Sequence, residues 1–95
     1  MLAEWVTLYL EEAPPLFHAM QMHLAEGDAV LLARVAHELR PQAHYLGAAH
    51  LLELLIALEA RLLEQGVGAC VDQVEEVVLM GREIERELCV ARTQW

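Results

Sequence analysis

Histidine and arginine residues lie close together in one segment, residues 34–44, of an otherwise acidic chain. His37 lies three residues after Arg34 and three residues before Arg40. Residues three apart on a helix are neighbours, so the two guanidinium groups would bracket the imidazole ring. A neutral imidazole is a nucleophile, and guanidinium groups stabilise phosphoryl oxygens. This pattern is suited to covalent binding of a phosphoryl group at His37.

The helix that carries these residues has two distinct faces. At 100° per residue, its apolar side chains fall on one side, flanked by Ala36 and Ala43; they are Leu32, Val35, Leu39 and Leu46. The opposite face carries Val30, Ala33, Arg34, His37, Arg40, Pro41 and His44. A structural histidine of the core would not lie there. For the arginines, the alternative is a solvated charged face. For His44, the alternative to a hydrogen-bond donor near the phosphoryl group is a solvated side chain.

Pro41 is unusual on this helix. It removes the N–H that would bond the carbonyl of His37, at a cost of about 3 kcal/mol in a helix interior. A helix-breaking residue beside a candidate site indicates that local shape matters there. A tolerated kink on a solvent face is the alternative.

Proline and glycine residues divide the remaining chain into helices. The pattern predicts a short extra N-terminal helix over 2–12, kinked or ended at Pro14 and Pro15, and a second helix that Gly27 closes. Three longer helices follow over about 28–46, with Asp28 as N-cap, 48–65 and 69–92. Short connections between amphipathic helices predict an all-α, antiparallel up-down four-helix bundle, with residues 1–95 as a single domain.

Composition excludes several classes of partner. The net charge is −9, so neither nucleic acid nor an anionic membrane is expected to bind. No apolar run is long enough for a membrane helix and no signal peptide is evident, which indicates a cytoplasmic protein. Cys70 and Cys89 are expected to be free, buried thiols. The five histidines lack metal-binding spacing, so no metal site is expected.

The motif around His37 resembles the signature of histidine phosphotransfer (HPt) domains. The family has a Leu two residues after the histidine, a basic residue at three and a glycine at ten, which His37, Leu39, Arg40 and Gly47 match. Glu11-Glu12-Ala13-Pro14 upstream, and Leu51 with Leu58-Glu59 downstream, are also similar to the family. Pro41 replaces the usual glycine of the family, a difference that bears on the choice of partner.

The resemblance implies a phosphorelay intermediate. His37 would accept a phosphoryl group from one receiver-domain aspartate and pass it to another, with Arg40 stabilising the phosphate. The partners would be response-regulator receivers or a hybrid histidine kinase, and the partner receiver would supply Mg²⁺, since this chain needs no cofactor of its own. Val30, Ala33 and Met22 could form a docking patch beside Arg34, Pro41 and His44, while Gly47 would be structural. We expect a monomeric, stoichiometric carrier rather than an enzyme.

Two other functions fit parts of the pattern. His37-Glu38-Leu39-Arg40 also resembles the phosphoacceptor box of histidine kinase dimerisation domains. That box continues with Thr or Asn and then Pro, whereas Pro41 comes one residue early. The other alternative is a helical module that binds receivers without transferring phosphate.

Overall fold

The chain folds into four long helices. A computed structural model describes the backbone of residues 2–93 and the side chains of residues 4–91. The elements are α1 (Leu2–Glu26), α2 (Ala29–Leu46), α3 (Ala49–Gln65), a short 3-10 helix (Val67–Ala69) and α4 (Val71–Thr93). α1 and α3 each pack against both α2 and α4, so α2 and α4 lie on opposite sides. The predicted all-α antiparallel bundle is confirmed.

The prediction of a separate N-terminal helix over 2–12 is wrong. Pro14 and Pro15 both lie inside α1, which is continuous. A buried stripe runs through the proline pair; it consists of Val6, Tyr9, Ala13, Phe17 and Met20. An internal proline costs about 3 kcal/mol, while each large apolar side chain that is fully buried contributes about 1.5–3 kcal/mol. Packing on both sides of the prolines therefore outweighs the local preference to break.

The ends of α2 are fixed by local sequence. The Asp28 side chain caps its first turn, because Oδ1 accepts the backbone N–H of Leu31 at 3.0 Å. Gly47 ends the helix in the left-handed region, with a φ of 72°. Its N–H bonds the carbonyl of His44 at 3.1 Å, and the Ala48 N–H bonds that of Ala43 at 2.9 Å. The predicted N-cap at Asp28 and the predicted end of this helix at residue 46 are confirmed, and two residues separate α2 from α3.

The core contains the predicted apolar stripe of α2, together with apolar stripes of α3 and α4. Its fully buried side chains from α2 and α3 include Leu32, Ala36, Leu39, Ala43, Leu51, Leu55 and Leu58. From α4 it takes Val74, Val77 and Val78, while Ile84 and Leu88 are partly buried against it. No charged side chain of the described residues is buried in this core. Apolar burial therefore holds the bundle together.

One close contact joins α1 to α4. The Phe17 ring lies so close to Gly81 that a Cβ on this glycine would come 2.2 Å from a ring carbon. The buried Tyr9 hydroxyl donates to the Gly81 carbonyl at 2.8 Å. Burial, and secondly the nearby Glu85 carboxylate, raise the pKa of Tyr9. A mid-helix glycine, normally unfavourable, thus lets an aromatic ring approach the backbone.

The two cysteines differ in their surroundings. Both are free thiols, but only Cys70 is buried, whereas Cys89 is exposed on α4. The expectation that both are buried is therefore wrong for Cys89, which lies off the inward stripe of α4. Burial raises the pKa of the Cys70 thiol, although the Arg61 charge opposes this.

Within residues 2–93, none of the helices combines the length and apolar character that crossing a bilayer requires.

Candidate functional site

α2 holds His37 on the water-facing side of the bundle. Its neighbours Ala36 and Leu39 are buried in the core. Since successive helix residues differ by 100°, burying that stripe turns residue 37 outward. The His37 side chain is 70% exposed. A docking protein can therefore reach the ring directly.

Glu59 on α3 orients the His37 ring. Its Oε1 atom lies 3.3 Å from Nδ1 of His37. The Glu59 side chain is 20% exposed, so it is more shielded from water than the ring that it contacts. A carboxylate can only accept a hydrogen bond, so Nδ1 must carry the proton in this contact. The remaining nitrogen, Nε2, then holds the lone pair and has no hydrogen-bond partner among the described residues.

Arg40 is held beside the ring by the same carboxylate. Its Nη1 atom donates to Glu59 Oε2 at 3.2 Å and lies 3.4 Å from Nδ1 of His37. The guanidinium and a protonated Nδ1 are both donors, so the second distance is a neighbouring contact and not a hydrogen bond. Glu59 thus bridges the imidazole and the guanidinium, and Arg40 keeps other N–H groups available for phosphoryl oxygens.

Arg34 lies one turn away, where α2 faces water. It is exposed, and no described residue forms an ion pair or hydrogen bond with it. The structure therefore brings Arg40, but not Arg34, into direct contact with His37. The Arg34 charge remains close enough to act on a docking partner through solvent.

An open groove between α2 and α3 contains the candidate nucleophile. It has a volume of about 330 Å³ and is lined by His37, Arg40, Pro41, His44, Tyr45, Leu52 and Ile56. We call it the His37 groove. Tyr45 and Ile56 are 53% and 45% exposed and both line the groove, where they form an apolar wall. The groove thus combines a nucleophile and a cation with an apolar wall.

Pro41 and Tyr45 continue the row that His37 begins. The three residues are spaced four apart along α2, and residues at this spacing lie above one another on a helix. Pro41 is exposed and lies inside a helix that continues through it. The Tyr45 ring stacks on Trp5 of α1, with centroids 4.2 Å apart and planes 10° apart. The stack therefore joins the C-terminal end of α2 to α1.

Other predicted binding residues lie outside the His37 groove. Val30 is 72% exposed and lies near the start of α2. Ala33 is half-buried and packs against the core. Met22 is exposed on α1. Gly47 shapes the end of α2 and contacts no functional group.

Several site residues were missed by sequence reasoning. Glu59 contacts the ring from a different helix. Its similarity to the family was noted from the sequence, but its position beside His37 was not. A weak signal for the apolar wall was present, because Leu52, Ile56 and Leu63 form a second stripe on α3 beside its core stripe. The Trp5–Tyr45 stack joins residues that are distant in sequence, so no local pattern reveals it.

Comparison with known proteins identifies the family. The model of the Hpt domain family matches residues 4–92, which is nearly the whole chain. No curated protein and no solved structure matched the chain. The matched region contains all the helices of the bundle, whereas a kinase dimerisation hairpin needs only two. Together, the helical bundle, the exposed histidine and the family match show that this chain belongs to the Hpt domain family, the histidine phosphotransfer carriers of phosphorelay signalling.

Proposed function

We propose that His37 is the phosphoacceptor and that it relays a phosphoryl group between receiver-domain aspartates. The observation that carries this proposal is an exposed imidazole anchored at Nδ1 by Glu59 at 3.3 Å. The anchor leaves the Nε2 lone pair on the side of the ring away from Glu59, where no described residue bonds it. A nucleophile with a fixed orientation and open access is what a phosphoryl acceptor requires.

The transfer step follows from this geometry. The Nε2 lone pair forms a bond to the phosphorus of an aspartyl phosphate, while the bond from phosphorus to the acyl oxygen breaks and the aspartate carboxylate leaves. The Nδ1 proton stays in place, and Glu59 balances the positive charge that develops on the ring. Arg40 donates to the phosphoryl oxygens. Transfer to the next receiver reverses these bond changes.

The partner completes the site. Phosphoryl transfer depends mainly on positioning and on charge stabilisation, and His37 has a single carboxylate beside it. Magnesium would therefore be held by the acidic pocket of the receiver. Because the histidine is regenerated in each cycle, the chain acts as a stoichiometric carrier. We propose that it does so as a cytoplasmic monomer that binds receivers or a hybrid kinase through the His37 groove.

Incubation with a radiolabelled, phosphorylated receiver domain from the same genome tests the assignment. The wild-type chain should gain acid-labile, base-stable label, and the His37→Gln variant should gain none. His44→Gln is the matched control, because His44 lines the same groove, and it should remain labelled. Circular dichroism should give the same melting temperature for all three, since both histidines are exposed.

Two results would contradict the proposal. Full labelling of the His37→Gln chain would assign the phosphate to another residue. Receiver binding without any label on the wild-type chain would identify a docking module that does not transfer phosphate.

A further inference from the structure

A second groove lies on the other side of the Pro41–Tyr45 row, between α1 and α2. We call it the α1–α2 groove. It has a volume of about 230 Å³ and is lined by two rings, Trp5 and Tyr45, two apolar side chains, Leu8 and Pro41, and two carboxylates, Glu12 and Glu38, together with the Gln42 amide. Pro41 and Tyr45 also line the His37 groove. A protein that covers the histidine would therefore also reach the α1–α2 groove.

The two grooves have opposite charge. Arg40, His37 and His44 line the His37 groove, whereas no cationic side chain among the described residues lines the α1–α2 groove. Glu38 is exposed and forms no ion pair within the described part of the chain. Its negative charge is thus available to a partner.

Hydrogen bonding within the chain also leaves acceptor groups at the α1–α2 groove without a donor. Gln42 Nε2 donates to Glu12 Oε2 at 3.2 Å, which holds this carboxylate at the groove. The Gln42 Oε1 atom is buried and has no hydrogen-bond partner among the described residues. A buried acceptor without a donor is unfavourable by about 1–3 kcal/mol. A ligand that brings several N–H donors would meet the carboxylates of Glu12 and Glu38, which line the groove.

We propose that the α1–α2 groove binds a lysine or arginine side chain of the receiver domain that docks over His37. That the partner is a receiver domain rests on the proposed function, whereas the preference of the α1–α2 groove for a cation does not. The aliphatic stem of such a side chain would pack on Leu8 and Pro41. Its charged end would interact with the Trp5 and Tyr45 rings and with the carboxylates of Glu12 and Glu38. Partners without a basic residue at this place would dock poorly.

The first test measures cation binding without any phosphate. The ¹⁵N-labelled chain is titrated with N-acetyl-arginine methylamide and with its neutral isostere, N-acetyl-citrulline methylamide. The arginine compound should shift the Trp5 indole N–H and the Gln42 side-chain amide, and the citrulline compound should not. The Glu12→Gln/Glu38→Gln variant should lose these shifts. Glu76→Gln/Glu83→Gln, the same charge change on exposed residues of α4, should keep them.

Absent shifts, equal shifts with both compounds, or shifts that persist in the groove variant would overturn the proposal. This arm needs no receiver, so its result stands even if His37 does not accept phosphate.

The second test measures transfer from the receiver that labels His37. Each rate is divided by the rate of labelling with phosphoramidate, a small donor that needs no docking. The Glu12→Gln/Glu38→Gln variant should lower kcat/KM for the receiver about tenfold, through KM, as expected for the loss of two partly exposed ion pairs. The Glu76→Gln/Glu83→Gln control should change it less than about twofold. Equal effects of the two variants would sink the inference, whereas failure of the wild-type chain to accept phosphate would count against the proposed function alone.

Discussion

The polar contact between α1 and α4 differs in kind from the one between α2 and α3. The Tyr9 hydroxyl is buried, reaches the Gly81 carbonyl at 2.8 Å and lies in the same core cluster as Phe17. The contacts among His37, Arg40 and Glu59 are longer, at 3.2–3.4 Å, and the histidine is largely in water. One side of the bundle therefore has tight, shielded contacts and the other has loose, accessible ones.

This difference suggests separate roles, with the α1–α4 contact stabilising the fold and the α2–α3 contacts supporting the chemistry at His37. A buried group that loses its hydrogen bond is left desolvated and unpaired, which costs about 1–3 kcal/mol. An exposed ion pair contributes only about 0–1 kcal/mol, because water competes for both partners. We therefore expect changes at the α1–α4 contact to affect unfolding, and changes at Glu59 to affect His37. The following variants test this separation, from the largest expected effect on stability to the smallest.

Gly81→Ala should destabilise the fold most. Alanine favours a helix over glycine by about 1 kcal/mol, but its Cβ would lie 2.2 Å from the Phe17 ring. Overpacking of this kind costs about 1–3 kcal/mol and should outweigh the helix preference. Urea unfolding measures the difference. Gly68→Ala is the control, since no neighbouring atom lies within 4 Å of its Cβ position. A Gly81→Ala chain more stable than wild type would refute the close packing.

Tyr9→Phe should have a smaller effect of about 1 kcal/mol, the usual contribution of one hydrogen bond. The substitution should also alter how the free energy of unfolding changes at high pH. Burial raises the pKa of Tyr9, so the unfolded chain releases the phenolic proton first. Stability is therefore complete below pH about 10 and falls above it. Urea midpoints measured at pH 8 and pH 11 should differ less in the Phe variant than in wild type. An identical loss of stability at pH 11 in both proteins would show that Tyr9 does not cause it.

Glu59→Ala should change stability least, by under about 1 kcal/mol, because the contacts it makes are partly exposed. Its effect should appear on the His37 ring instead. The ¹⁵N chemical shifts of the ring distinguish the two neutral tautomers, and wild type should be protonated mainly at Nδ1. The Ala variant should lose that preference and accept phosphate more slowly. Glu59→Gln should keep part of the preference, since its amide oxygen still accepts. An unchanged tautomer in Glu59→Ala would show that Glu59 does not orient the ring.

Features set by neighbouring residues could be predicted from the sequence. Asp28 and Gly47 act within one helical turn, so they fix the ends of α2 without help from the rest of the chain. The 3.6-residue period likewise assigns Leu39 to the core and His37 to the surface. Pro14 and Pro15 were misread because their local preference competes with burial of Tyr9 and Phe17, which depends on the other helices.

Contacts between helices could not be predicted, because a period fixes which face is buried and not which residues of two helices meet. Glu59 lies 22 residues from His37, and its placement depends on how α3 is rotated and shifted along α2. The same reason hides the stack of Trp5 on Tyr45 and the approach of Phe17 to Gly81. The candidate nucleophile His37 could therefore be identified from the sequence, whereas the residues of other helices that position it could not.

If His37 accepts the phosphoryl group as proposed, its anchoring at a single nitrogen determines how little the domain must change. Bond formation at Nε2 would leave the Nδ1 hydrogen bond to Glu59 intact, so gain and loss of the phosphoryl group would require no movement of any helix. The two states would then differ in local charge and bulk and not in shape. A protein that distinguishes the phosphorylated domain from the unphosphorylated one would therefore have to contact the phosphoryl group itself.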